Sequence, residues 1–304
     1  MIQHTPKFRT KIADSPSEFI AAQKLRYRVF VQELGGGGDM IDHDLGLERD
    51  RFDPYFDHIL LFDDALKNNP DTEVVAFVHA ETSTGVRSDA KEIAEIAKKY
   101  GCLVIADTVT SLVGIPVLTD EWGLDAVYSG SQKCLSSVAG LSPLTFSDKA
   151  IKKIQSRDTR IQSWFLDQTL VLDYWSGSGK RSYHHTAPIN SIFALHESLR
   201  LACDETLENL WKRHLGAHSR LKKGLDKLSF DFVVEKEYRL PQMNSIHIPK
   251  GYDDLEIRSK LLNDYNLEIG AGLGKFSGKI WRIGLMGYNA RNESVDYCLS
   301  LIHI

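Results

Sequence analysis

The stretch EVVAFVHAETSTGV, residues 73–86, decides the fold. Its residues 74–79 form an almost continuous, valine-rich apolar run, which is typical of a strand that is buried on both faces. Alanine and isoleucine then recur at helical spacing over residues 90–97, and Gly101 stands where a helix should end. A second apolar run follows at residues 102–106. A strand, a helix and a strand at this spacing predict a parallel βαβ unit, and therefore an α/β fold.

Polar residues follow the carboxyl ends of three predicted strands, where ligands of such sheets bind. The first strand runs into HAETSTGV at residues 79–86, and the second ends in Asp107. A short third strand at residues 126–128 runs into SGSQK at residues 129–133. Taken singly, each feature has an ordinary structural explanation, because an aspartate at a strand end usually caps a turn, a lone lysine is usually solvated, and serine and threonine favour turns.

The combination of the three strand ends points to the chemistry of pyridoxal 5'-phosphate. This cofactor needs an amine that forms an imine with its aldehyde, a carboxylate beside its pyridinium nitrogen, and hydrogen-bond donors for its phosphate. A free lysine, with a pKa of about 10.4, is a poor nucleophile at neutral pH, and the cofactor overcomes this by holding the lysine as an imine. Lys133, Asp107 and the hydroxyl-rich turns are candidates for these three roles.

The composition narrows the classes of function. The 304 residues are enough for about two domains and a sizeable core, and no run of about eighteen apolar residues is present that could span a membrane. The net charge of −4 argues against nucleic acid or an anionic membrane as a partner. The first residues lack the apolar segment of a secretory signal, and the four cysteines are far apart in the sequence. We therefore expect a cytoplasmic protein with reduced thiols and no metal site.

Five motifs occur in order along the chain: HAETSTGV at 79–86, IADTV at 105–109, SGSQKCL at 129–135, YHHTAP at 183–188 and GLGKFSGKIWRIGLMG at 272–287. With these motifs, the sequence from about residue 63 to the C-terminus resembles class V, fold-type I aminotransferases of the alanine–glyoxylate and serine–glyoxylate group. The resemblance implies a large domain with a mostly parallel sheet and helices, a smaller α+β domain, and pyridoxal 5'-phosphate as the cofactor.

The resemblance also implies a role for each motif residue around the cofactor. Lys133 would bind the cofactor covalently and then move a proton between the substrate Cα and the cofactor C4′, and Asp107 would pair with the pyridinium nitrogen. Thr82 would lie near the phenolic oxygen, Val109 would pack on a face of the ring, and Gln132 would help to bind the phosphate.

Three further residues are assigned by the resemblance to the substrate and to a second subunit. Tyr183 and Thr186 match residues that reach the phosphate from the neighbouring subunit, which implies a homodimer with a shared site. Arg282 matches the guanidinium that binds the substrate α-carboxylate, for which a planar bidentate donor is better suited than lysine. Without the family, a surface arginine on a strand explains Arg282 equally well. The implied reaction transfers an amino group from a small amino acid, alanine or serine, to a 2-oxo acid such as glyoxylate.

Residues 1–62 depart from this family. In that region the family has further strands, a Gly- and Ser-rich helix start that holds the phosphate, and an aromatic residue that stacks on the ring, and none of these is found in this sequence. Gly35–Gly38 followed by acidic Asp39 would be a poor phosphate site, because like charges repel. The motifs LRYRVF at 25–30 and DPYFDHILLF at 53–62 instead resemble the start of ornithine lipid-forming N-acyltransferases and their haemolysin-like relatives, which have an acetyltransferase-like fold.

Together the two resemblances predict a chimera in three parts. These are an acyltransferase-like fragment at residues 1–62, a remnant of the cofactor-binding large domain at 63–200, and a small domain at 201–304. In the fragment we expect a helix at residues 17–30 and a short strand at 58–62. We expect an impaired aminotransferase, and two alternatives stay open. One is a non-catalytic chimeric chain, and the other is an N-acyltransferase fragment, against which the missing thioester-binding half speaks.

The C-terminal domain is predicted to alternate strands with a helix. The predicted strands are residues 230–235, 245–249 and 279–285. The predicted helix is residues 253–265, and the leucines expected to face inward are Leu255, Leu261 and Leu262.

Overall fold

The computed structural model describes residues 69–302, except residue 160 and residues 176–181. It also describes scattered earlier positions, namely residues 11–12, 17, 20–21, 23–24, 41–42, 44–45, 47–48, 59–60 and 66. Among these, Lys11–Ile12 pairs antiparallel with Ile59–Leu60, and Ile41–Asp42 pairs antiparallel with Leu47–Glu48.

Two predictions for the N-terminal fragment fall mainly on residues that are not described. The predicted helix at residues 17–30 is helical at its five described positions, and the remainder of it lies outside the described residues, as does Gly35–Gly38. The predicted strand at residues 58–62 is described only at Ile59–Leu60, where it is a strand.

Four strands form the first sheet and place the predicted strand ends side by side. In chain order they are β1 (Val74–Val78), β2 (Leu103–Asp107), β3 (Ala126–Tyr128) and β4 (Leu144–Phe146). The first three are parallel, with Val78, Asp107 and Tyr128 in register at their carboxyl ends, and β4 is antiparallel to β3. The predicted parallel βαβ unit is therefore confirmed.

Helix α1 (Ala90–Lys99) connects β1 to β2, and the sequence specifies both of its ends. The Asp89 carboxylate caps the N-terminus by accepting a hydrogen bond from Glu92 N at 3.1 Å. Two lysines in the last turn stabilise the C-terminus, because their positive charges interact favourably with the negative end of the helix dipole. Gly101 adopts a φ of +75°, as the predicted helix stop requires. The helix buries Ala90, Ile93, Ala94 and Ala97. Burial of an isoleucine such as Ile93 contributes about 1.5–3 kcal/mol.

Helix α2 (Thr119–Trp122) lies between β2 and β3. After β4 the chain forms α3 (Asp148–Gln155), α4 (Gln168–Trp175), α5 (Ile189–Glu205) and α6 (Leu207–Lys227) before the second sheet begins. The boundary that we predict between the two domains at residue 200 lies within α5.

A second, antiparallel sheet with the strand order β5-β7-β6 forms the C-terminal part. Its strands are β5 (Met243–His247), β6 (Gly270–Ala271) and β7 (Ile280–Gly284). Helices α6, α7 (Asp254–Tyr265) and α8 (Asn292–Ile302) pack on this sheet around one hydrophobic cluster, which includes Leu221, Leu225, Ile246, Leu261, Trp281 and Val295. A separate cluster fills the space between α1 and the first sheet.

Two predictions for the C-terminal part are wrong. Residues 230–235 do not form a strand of the sheet, because the chain pairs with β5 only through an isolated bridge at Phe232 and then bends at residues 233–234. Leu255 and Leu262 do not face inward, since 64% and 46% of their surfaces are exposed. They lie seven residues apart on one outer face of α7, whereas Leu261 and Ile257, four residues apart, share the face that packs on the core.

No helix in the part of the chain that the structure describes is long and apolar enough to cross a membrane.

Candidate functional site

The carboxyl ends of β1, β2 and β3 form one edge of the first sheet, and we call this edge, with the loops at residues 79–86, 107–111 and 129–136, the strand-end edge. Backbone hydrogen bonds continue the register beyond the strands. His79 N donates to Asp107 O at 2.9 Å, and Thr108 N donates to Tyr128 O at 2.9 Å. Thr82, Asp107 and Lys133, which the sequence predicts to act together, thus start from neighbouring strands.

Asp107 is held in a fixed orientation by two donors. Its Oδ1 accepts a hydrogen bond from Val109 N at 2.8 Å, and its Oδ2 accepts one from the Tyr128 hydroxyl at 2.8 Å. Burial and the bond to Asp107 raise the pKa of Tyr128 to about 12, so this hydroxyl remains a donor at neutral pH. An ionised carboxylate has about four acceptor positions. Asp107 therefore caps a turn, as the ordinary structural explanation predicts. Its carboxylate also has acceptor positions left for the N–H group of a cationic partner.

Lys133 lies in a turn that is fixed by its serines. Ser131 Oγ donates to Val138 O at 2.6 Å, Ser137 N donates to Ser131 O at 2.9 Å, and Ser136 N donates to Lys133 O at 2.9 Å. Lys133 itself is half-buried. Its amine has no ion-pair or hydrogen-bond partner among the described residues.

The loop that carries Thr82 is fastened on both sides. The Thr82 hydroxyl hydrogen-bonds to that of Thr110 at 2.5 Å, and Thr110 is fully buried behind the strand-end edge. On the other side, Gly85 has a φ of +81°, and a Cβ there would lie 2.5 Å from Met243 O, so only glycine fits against β5. The two remaining predicted cofactor residues differ in exposure, since Val109 is half-buried beside Asp107 and Gln132 is exposed.

Arg282 on β7 reaches the same loop from the second sheet. Its Nε donates to Ala271 O at 2.7 Å, and its Nη1 donates to Thr82 O at 3.0 Å. Burial lowers the pKa of this guanidinium, and nearby Glu81 opposes the shift. Two backbone carbonyls take only part of its five donors. The structure therefore brings the predicted carboxylate-binding residue to the loop of Thr82, with donors to spare.

Tyr183 and Thr186 do not join this edge within the chain. Their hydroxyls hydrogen-bond to each other at 2.6 Å, and 68% of Tyr183 is exposed. The rings of Trp164, Phe165, Trp175 and Tyr183 are linked through Tyr174, His184 and His185. We call these four exposed side chains, together with exposed Phe193 of α5, the aromatic surface.

Sequence reasoning missed several residues that shape the edge. Tyr128 binds Asp107 directly, and its signal was its position immediately before SGSQK in a strand parallel to that of Asp107. Buried Gln242 donates to Thr110 O at 3.4 Å, which no local pattern indicates. His79 is buried with its Nδ1 unpartnered among the described residues, and burial, with a contribution from Arg87, lowers its pKa to about 4.

These groups fit the donor set that pyridoxal 5'-phosphate requires at its ring and aldehyde. An amine without a partner, a carboxylate with free acceptor positions and a hydroxyl lie on loops of one sheet edge, and a guanidinium reaches it from the second sheet. No group of three or more potential metal ligands occurs among the residues described.

Comparison with known proteins agrees with these features. The family described as aminotransferase class-V matches residues 58–296. Rat alanine–glyoxylate aminotransferase is 42% identical over 220 residues, which cover 72% of this chain and 53% of the rat protein. The (S)-ureidoglycine–glyoxylate transaminase of Bacillus subtilis is 34% identical over 246 residues, or 75% of this chain and 59% of that protein.

The fold is similar to that of a solved relative. The crystal structure of alanine–glyoxylate aminotransferase from Nostoc sp. superposes with a TM-score of 0.75 at 45% identity, and covers 79% of this chain and 63% of that one. The chain spans about half the length of the curated relatives it matches.

Proposed function

The chain belongs to the class-V aminotransferase family, and on that premise we propose that it transfers an amino group between a small amino acid, alanine or serine, and a 2-oxo acid such as glyoxylate. Aminotransferases of this type depend on pyridoxal 5'-phosphate. The names of the rat and Bacillus subtilis relatives, which include glyoxylate, support this substrate class. The observation that carries the proposal is the strand-end edge, where Asp107 and Lys133 lie on adjacent loops and Arg282 contacts the loop of Thr82.

When bound, the cofactor supplies an aldehyde carbon that links to amines and a ring that accepts electrons from the substrate Cα. Lys133 would hold the cofactor through its amine. When a substrate amine replaces it there, the Lys133 amine would take a proton from the substrate Cα and deliver it to the cofactor C4′. The absence of an ion-pair partner for Lys133 among the described residues supports this role, because a lysine paired with a carboxylate would be held away from it.

Asp107 would accept a hydrogen bond from the ring nitrogen of the cofactor and balance its charge. Its two fixed hydrogen bonds, from Val109 N and the Tyr128 hydroxyl, orient the carboxylate before any ligand arrives. Such preorganisation stabilises charge without reorganisation during the reaction. Thr82 donates to the phenolic oxygen, and Val109 packs on the ring.

Arg282 binds the substrate α-carboxylate with the donors that its two backbone bonds leave free. Arg282 Nη1 is hydrogen-bonded to Thr82 O. The residue that would bind the substrate carboxylate is therefore attached to the loop whose Thr82 hydroxyl would bind the phenolic oxygen of the cofactor. This coupling supports the choice of a small α-amino acid as substrate.

The phosphate is bound by Gln132 from its own chain and by Tyr183 and Thr186 from a second copy. The exposure of the aromatic surface supports a homodimer, since contiguous apolar patches of this kind mark interaction sites. In this arrangement the site is complete only when two chains associate.

We also propose that residues 1–62 derive from an N-acyltransferase-like sequence, and that the enzyme is impaired as a result. The start of the family match at residue 58, close to where that resemblance ends, supports this origin. The sequence of this region lacks the Gly- and Ser-rich helix start and the stacking aromatic residue of the family. The cofactor would therefore be held with less precision than catalysis requires.

A coupled assay with alanine or serine and glyoxylate tests the proposal. We expect a slow, measurable reaction that depends on added pyridoxal 5'-phosphate, together with an absorbance band near the visible. A version in which residues 1–62 are replaced by a complete family N-terminus should be much faster. Absence of both the band and the reaction in that version would contradict the proposed function, whereas equal rates in the two versions would contradict only the impairment.

A further inference from the structure

The turn of Lys133 is pressed against the chain that follows β7. Tyr288 N donates a hydrogen bond to Ser136 Oγ at 2.8 Å. A Cβ on Gly287 would lie 1.7 Å from the same Oγ and 2.8 Å from Cys134 O, so the glycine backbone is in direct contact with the turn. Ser136 N in turn donates to Lys133 O at 2.9 Å. Gly287 therefore contacts Ser136, and Ser136 is hydrogen-bonded to the backbone of Lys133.

Gly287 is held by a buried histidine of helix α6. Gly287 N donates to His214 Nε2 at 3.0 Å, and His214 is fully buried. Because Nε2 accepts, the proton is on Nδ1, which donates to Leu210 O at 2.7 Å. Burial lowers the pKa of His214, which keeps the ring neutral and preserves Nε2 as an acceptor.

The neighbour of His214 holds the other polar group of the same glycine. Arg213 Nη1 donates to Gly287 O at 2.7 Å and to Ala290 O at 3.1 Å. Both backbone groups of Gly287 are thus bound by consecutive residues of one helix. Ser136 has a positive φ of +56°, which a residue other than glycine keeps only where its surroundings impose it.

We propose that His214 is a positioning residue for Lys133, acting through Gly287 and Ser136 across the junction of the two sheets. The histidine fixes the Gly287 backbone, Gly287 and Tyr288 fix Ser136, and Ser136 closes the turn from which the lysine side chain starts. The catalytic meaning of this chain of contacts rests on the proposed function, whereas the mechanical link itself does not.

Amide hydrogen exchange, followed by mass spectrometry on the full chain without cofactor, tests the link. His214→Asn keeps a donor for Leu210 O and loses the acceptor for Gly287 N, and His214→Gln restores an acceptor near the position of Nε2. We expect exchange in residues 130–138 and 284–290 to accelerate by about fivefold or more in His214→Asn and to stay near the wild-type rate in His214→Gln.

His218→Leu is the matched control. His218 is one turn further along α6, and its Nδ1 hydrogen-bonds to Asn244 Oδ1 at 2.6 Å. This variant should accelerate exchange near residue 244 and leave residues 130–138 unchanged. Faster exchange over the whole chain in His214→Asn, or no change at residues 130–138, would overturn the proposal. If His214→Asn does not fold, Ser136→Ala breaks the link from the other side and should loosen residues 130–138 and 284–290 but not residues 207–217.

A second readout connects the link to Lys133. Borohydride trapping of added pyridoxal 5'-phosphate on the peptide of Lys133 should fall several-fold in His214→Asn and recover in His214→Gln. Equal trapping in wild type and His214→Asn would overturn the positioning role. No trapping in the wild type would contradict the proposed function. The hydrogen-exchange data alone would then test whether His214 is coupled to the turn of Lys133.

Discussion

The residues of the candidate site lie in two regions, the strand-end edge and the aromatic surface. The two regions differ in the hydrogen-bond partners of their polar groups and in the solvent exposure of their side chains. At the edge, Asp107 and Thr82 have defined hydrogen-bond partners within the chain. On the aromatic surface, each large side chain exposes more than half of its area, and the hydroxyls of Tyr183 and Thr186 hydrogen-bond to each other. We conclude that contacts within the chain preorganise the edge, whereas the exposed side chains of the aromatic surface are suited to contact with another chain.

The substitution expected to have the largest effect is that of Lys133 at the strand-end edge, and the effect is on the rate of transamination. Lys133→Ala should lower the rate of transamination by at least about ten-thousandfold and remove the absorbance band, because no other amine lies in the SGSQK turn. Lys153→Ala is the control, since Lys153 is an exposed lysine that forms an ion pair with Glu73 at 2.7 Å. A similar loss in both variants would show that the effect is not specific to the site.

The next effect is expected at Asp107. Asp107→Ala should lower the transamination rate by at least about a thousandfold while the protein still folds, because the ring nitrogen loses its counter-charge. Tyr128→Phe removes only one of the two donors to the carboxylate and should reduce the rate by about tenfold or less. Circular dichroism and urea unfolding check the fold. If Asp107→Ala is unfolded, Asp107 is a structural cap and its catalytic assignment is wrong.

The buried edge should also respond to pH through His79. Its pKa is about 4 in the folded chain and about 6.5 when unfolded, so the unfolded state takes up a proton first as the pH falls. Its contribution to stability is complete above pH 6.5 and is lost between pH 6.5 and 4, by roughly 3 kcal/mol in all. Urea unfolding of the wild type and of His79→Gln at pH 7 and pH 4.5 measures it. An equal decrease in stability for both proteins would exclude His79 as the cause.

The smallest effect is expected on the aromatic surface, where a substitution alters association rather than the edge. Phe193→Glu should raise the dissociation constant of the dimer by at least about tenfold, because 71% of the Phe193 surface is exposed and a carboxylate resists burial. Leu255→Glu, on an equally exposed residue of α7, is the control. Sedimentation velocity over a range of concentrations provides the measurement. A wild type that stays monomeric throughout would contradict the homodimer.

The sequence predicted the strand-end edge because its signals are local. Buried apolar runs mark β1 and β2, Asp107 ends β2, and Lys133 follows β3, so the pattern alone placed these two candidate residues at one edge of the sheet. The motif that contains Arg282 was found through a family resemblance. Its contact with Thr82 O joins residues 200 positions apart, which no local pattern reveals.

The failures have physical reasons of the same kind. Helix α7 carries apolar residues on two faces, and spacing alone does not say which face meets the core, so Leu255 and Leu262 were assigned to the wrong one. Gly287 fits against Ser136 only because two sheets meet there. His214 accepts a hydrogen bond from Gly287 N, which is 73 positions away in the sequence, and no local pattern reveals this contact.

The central claim is that the strand-end edge holds pyridoxal 5'-phosphate through Lys133. Borohydride reduction of the protein with added cofactor, followed by peptide mapping, tests it most directly, because it reports the site of attachment without requiring turnover. The account predicts a label on the peptide that contains Lys133, and its loss in Lys133→Ala. A label on another lysine, or none at any lysine, would contradict it.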